Sequence, residues 1–192
     1  MDAFSLAAQQ IGLNENDQRA AIQDYLSTGG VNLDPATTAW CAAFVNSTLK
    51  QSGVEGTDSN MARDFLKWGE GVDTPQQGDL AVFSRGDPNG PYGHVGFFDG
   101  YNENGTIRVL GGNQGDSVSR SNYSKDHLLG FRRAPGIQPG NTLAQGQSVA
   151  PPGANALARP QLQYTNYQND PNAFAMPTNA LSFTPVGVAR NA

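Results

Sequence analysis

The 192-residue sequence is poor in the residues that usually carry reactive or metal chemistry: it has one cysteine, Cys41, and two histidines, His94 and His127. A single cysteine excludes an internal disulfide framework, and no spacing of Cys and His resembles a zinc motif, so neither metal nor cofactor is implied. Charge is scarce too, at 15% of residues with a net of -5, which argues against holding nucleic acid or anionic lipid by bulk electrostatics. No apolar run is long enough to span a membrane, and Met1 to Gln10 lacks the basic-then-apolar pattern of a secretory signal. The expectation is a protein without nucleic-acid or membrane partners, carried out of a cytoplasm by other means.

What is present divides in two. Up to Arg133 the hydrophobic pattern is periodic, first helical and then extended. Helices are expected over Met1–Ile11, Asp17–Leu26, from near Cys41 to Gly53, and from Ser59 or Asn60 to Trp68. Strands are expected over Asp79–Ser84, His94–Tyr101, Thr106–Leu110, Ser117–Ser119 and Leu128–Arg132, with Asn104-Gly105 as a hairpin turn. Helices followed by an antiparallel meander predict an α+β domain over residues 1–133, its N-terminal helices packed on the sheet. Residues 134–192 hold only Arg159, Asp170 and Arg190 as charges, and Pro, Gln, Asn and Ala dominate. That segment reads as an irregular C-terminal arm, either disordered or an extended docking strand carrying Tyr164, Tyr167, Phe174 and Phe183.

Cys41, Phe44, Val45, Thr48 and Leu49 share one helical face, so the thiol is expected to look inward. It is either a small buried core residue or a nucleophile at a helix N-terminus, where the dipole favours the thiolate. Thr37 or Thr38 can cap such a helix, or Asp34-Pro35 can start it earlier. A cysteine nucleophile needs a base and the base needs an orienting partner. His94, flanked by glycine at the head of an apolar strand, suits the base better than His127 in its polar stretch. If the His94 strand and the next are hairpin neighbours, Asn113 falls near His94 at the matching end. Asn113 is equally readable as a turn residue. Trp40 and Tyr92 either line a cleft or pack.

Trp40-Cys41-Ala42-Ala43-Phe44-Val45, Gln77-Gly78-Asp79-Leu80-Ala81-Val82-Phe83, Gly93-His94-Val95-Gly96-Phe97-Phe98 and Val109-Leu110-Gly111-Gly112-Asn113-Gln114 occur in that order. Together they resemble NlpC-type cysteine peptidases and CHAP domains, most closely a phage and prophage branch. The resemblance implies a papain-like fold that cleaves amide bonds of bacterial peptidoglycan. It implies Cys41 as nucleophile, His94 as base and Asn113 as orienting residue, with the Cys41 N–H as an oxyanion donor. It departs from the commoner Asp-Cys-Ser-Gly nucleophile motif. A phage-type hydrolase carried in a virion, or in the host cytoplasm before release, is the reading that follows, with residues 134–192 contacting tail or core proteins. A structural virion component of the same fold with little activity is the alternative, and a zinc amidase fails for want of ligands.

Overall fold

The computed structural model describes residues 1–135. The arm expected from residue 134 onward therefore lies almost wholly outside the described residues. Three helices come first: α1 (Ala3–Ala8), α2 (Arg19–Thr28) and α3 (Cys41–Gln51). Asp2 caps α1 by accepting from the Ser5 N–H, and α2 stops at Gly29-Gly30, where Gly30 adopts φ +81. A six-stranded sheet follows: β1 (Glu70–Val72), β2 (Leu80–Ser84), β3 (Gly93–Tyr101), β4 (Ile107–Gly111), β5 (Ser119–Tyr123) and β6 (Leu128–Arg133). Its order is β1-β6-β2-β3-β4-β5 and each pairing is antiparallel. This is the α+β arrangement read from the sequence.

Three local expectations change. The fourth helix is a 3-10 segment over Ala62–Lys67, with its Phe65 and Ala62 buried. The short strand expected at Ser117 begins instead at Ser119 and runs to Tyr123. Helix α3 does not present one apolar face: every residue from Cys41 to Leu49 is buried. Its polar side chains are satisfied internally, as a helix covered on all sides requires. Ser47 Oγ donates to Leu26 O, and Asn46 bridges Ser59 O and the Thr57 N–H.

The sheet has two apolar faces. Leu80, Val82, Val95, Phe97 and Leu110 pack with the helices, while Ala81, Phe83, Phe98, Val109, Tyr123 and Phe131 form a second cluster. Phe83 and Tyr123 stack with ring centroids 4.6 Å apart although β3 and β4 lie between their strands. Three strand spacings would set those strands roughly 14 Å apart in a flat sheet. The sheet therefore curls, and its second face becomes the inside of the curl. A buried ion pair ties the end of β6 to the residue before its neighbour β2: Arg133 Nη2 and Nε donate to the two carboxylate oxygens of Asp79 at 2.6 and 2.9 Å. Asp79 is thus a clamp on the last strand.

Candidate active site

Helix α3 begins at Cys41 itself. Asp34-Pro35 opens a turn, with the Thr37 and Thr38 N–H groups donating to Asp34 O, and neither threonine caps the helix. Trp40 stands at the N-cap position, and its indole N–H donates to Glu15 Oε2 at 2.7 Å in a buried contact. Trp40 is therefore core rather than cleft, whereas Tyr92 is 60% exposed. Burial raises the Glu15 pKa, against the opposing hydrogen bond from Trp40.

Glycine lets this helix start reach the sheet. A Cβ on Gly112 would lie 2.4 Å from Trp40 Cζ3 and 2.8 Å from Phe44 Cβ, so only a bare backbone fits under α3. Pairing of β3 with β4 ends by Gly111, at the point where the helix arrives. The N–H of Val95, the residue after His94, favours the ionised form of the Cys41 sulfur, as do those of Ala42 and Cys41.

Burial dominates both reactive groups, which are 4% and 1% exposed. It pushes the Cys41 thiol up despite the Val95 N–H and the Arg85 charge. This is opposite to the thiolate expected at a helix N-terminus, because desolvation outweighs the dipole there. It also pushes the His94 imidazole down to about 3, assisted by the Arg85 charge and opposed by the hydrogen bond to Gln114. At rest the pair is therefore neutral thiol and neutral imidazole.

The partner of His94 is Gln114, not Asn113. Continuing the β3–β4 register beyond Phe97–Leu110 would set Asn113 opposite His94, which is why the hairpin argument pointed to it. Asn113 instead adopts φ 58, a left-handed conformation that asparagine tolerates, and the chain turns there. The turn swings the next side chain inward: Gln114 is buried and its Oε1 lies 3.1 Å from His94 Nε2.

The protons can be assigned from Gln114. Its Nε2 donates to Ser119 O at 2.6 Å and to Gly111 O at 3.3 Å, so its Oε1 faces His94. That oxygen also accepts from the Tyr123 hydroxyl at 2.9 Å. His94 must therefore carry its proton on Nε2, which leaves Nδ1 as the acceptor, buried and without a hydrogen-bond partner. Tyr123 stacks on the imidazole at 5.1 Å and 13°, fixing the ring plane. Sequence reasoning did not single out Tyr123, and nothing in its Ser-Asn-Tyr-Ser setting marked it. His127, itself half-buried, ends the 3-10 turn Lys125–His127 before β6, whose Lys125 and Asp126 are exposed.

Among the described residues no group of His, Cys, Asp and Glu is arranged to hold a metal ion. The arrangement offers a thiol at a helix start, a nitrogen acceptor held by an amide, and backbone N–H groups around the sulfur. No curated protein matches the chain. The CHAP domain family matches residues 33–113, from the turn before α3 to the residue before Gln114. Over residues 33–113 the chain is thus similar to the CHAP domain, a family of peptidoglycan-hydrolase domains of the cysteine/amidase type.

Proposed function

We propose that Cys41, His94 and Gln114 hydrolyse an amide bond of bacterial peptidoglycan through a thioester on Cys41. The observation that supports this most is the proton assignment at His94: Gln114 Oε1 takes the Nε2 proton, and Nδ1 is a buried acceptor with nothing to accept. An acceptor of that kind suits removal of a thiol proton as the substrate closes the site. The Cys41 proton passes to Nδ1, and the thiolate attacks the amide carbonyl. The resulting oxyanion is met by backbone N–H groups, with that of Cys41, which has no intrahelical partner, as one donor. The C–N bond breaks as the imidazolium protonates the leaving amine. Water then attacks the thioester and gives its proton to His94, releasing the carboxylic acid and the free thiol. Gln114 takes no proton; it holds the tautomer and angle of the base, in the role expected of Asn113.

In the same reading the enzyme belongs to a phage and is carried in its particle by residues 134–192, whose loss of charge and hydrophobic period supports a tether. A chain ending near Pro135 should then digest purified wall but fail to enter the particle.

Acid quench during turnover of a defined stem peptide, followed by mass spectrometry, tests the chemistry. The acyl fragment should be found on Cys41, should vanish in His94→Ala, and should persist in His127→Ala. An adduct on another residue, or equal behaviour of the two histidine variants, overturns the assignment.

A further inference from the structure

One cation at the site, Arg85, enters no ion pair among the described residues. The β2–β3 ladder continues one pair beyond Ser84–Gly93, with the Arg85 N–H donating to Tyr92 O at 3.2 Å. Sides alternate along a strand, so Arg85 falls on the face of Phe83 and His94. Its charge reaches the chemistry, favouring the Cys41 thiolate and disfavouring the His94 imidazolium. The loop beside it is held by Arg63, which donates from Nε to Tyr92 O at 3.0 Å and from Nη2 to Pro88 O at 2.7 Å. Yet Arg85 Nε is buried without a hydrogen-bond partner, and the ion pairs among the described residues use Arg19, Arg108, Arg120 and Arg133 instead. Of the three buried side-chain nitrogens that lack a partner among the described residues, two belong to Arg85 and His94.

Leaving a guanidinium N–H dry and unpaired is costly, and its planar fork matches a carboxylate better than any other common group. Resting on the reading of Cys41 as the nucleophile, we infer that Arg85 is a specificity-determining residue that binds a substrate carboxylate next to the scissile amide. The site then takes stem peptides in which that carboxyl is free in preference to those in which it is a carboxamide. A carboxamide keeps the shape but offers one neutral acceptor, and its NH2 faces the guanidinium.

Two synthetic forms of one defined stem peptide, differing only in carboxyl against carboxamide, provide the test with the full chain. The wild type should prefer the free carboxyl by about tenfold to a hundredfold in kcat/KM, mostly through KM. Arg85→Gln should abolish that preference by losing the carboxylate substrate alone, and Arg85→Lys should keep part of it. Equal losses on both peptides, or a preference that survives Arg85→Gln, overturns the inference. Calorimetric binding of both peptides to Cys41→Ala, with and without Arg85→Gln, separates this from the chemistry. Preferential binding that depends on Arg85 supports the inference even where neither peptide is cleaved, an outcome that would instead count against the hydrolase reading. Binding without preference overturns it. Thermal melts confirm folding, and Arg85→Lys, which keeps charge and bulk, serves if the glutamine variant is unfolded.

Discussion

His94 takes up its proton at about pH 3 in the folded chain, against 6.5 for an ordinary imidazole, chiefly because it is buried. A base whose folded pKa is depressed binds fewer protons folded than unfolded between those two values. Its contribution to stability is therefore complete above about pH 6.5 and is lost as the pH falls toward 3. Each pH unit in that window removes about 1.4 kcal/mol, so the whole span removes on the order of 5 kcal/mol. That is comparable to the total stability of a small domain, about 5–15 kcal/mol. Carboxylates titrate in the same range, so the wild type alone does not isolate the effect. His94→Gln does, because it keeps a polar side chain of similar size and removes the titration. Urea unfolding of both proteins at pH 7, 6, 5 and 4 is the assay. The advantage of the wild type at pH 7 should shrink by about 1.4 kcal/mol per unit below pH 6 and then reverse in sign. Parallel stability curves would refute the burial argument and with it the neutral resting pair.

Gln114→Ala should lower kcat more than it raises KM. It should also destabilise the fold by about 2–5 kcal/mol, since Ser119 O and the Tyr123 hydroxyl lose a buried partner. Asn113→Gly should retain activity, because glycine adopts the φ of 58 freely; a variant as impaired as Gln114→Ala would restore Asn113 as the orienting group. Gly112→Ala should cost about 1–3 kcal/mol and slow turnover, as the new methyl pushes Trp40 and the start of α3 off the sheet. An unchanged melting temperature and rate would show that this close approach is not needed.

Much of the architecture was legible because it rests on periodicity. The helical spacing around Ile22 and Leu26 and the apolar run from His94 to Tyr101 are strong signals, and both elements form close to their expected bounds. Strand β1 was not legible: Glu70-Gly71-Val72 is three residues long and exists only because β6 pairs with it. The 3-10 segment Ala62–Lys67 keeps the spacing of a helix while tertiary packing of Phe65 and Trp68 sets its winding. At the site, residue type and strand order suggested Cys41 and His94. The choice between Asn113 and Gln114 turned on one left-handed residue, which a register count assumes away. The direction of the Cys41 shift was hidden too, because a helix face predicts which way a side chain looks and not how completely it is covered. Tyr123 illustrates the same limit from the other side. It reaches His94 only because the sheet curls, and curl leaves no mark in the pattern of a single strand.

The central claim is that bond cleavage runs through the Cys41 sulfur. Digestion of purified peptidoglycan by wild type and Cys41→Ala, with released termini identified by mass spectrometry, tests it most directly. The wild type should produce paired new amino and carboxyl termini at one amide position, and the folded alanine variant should produce none. Digestion by Cys41→Ala at the wild-type position and rate would contradict the account.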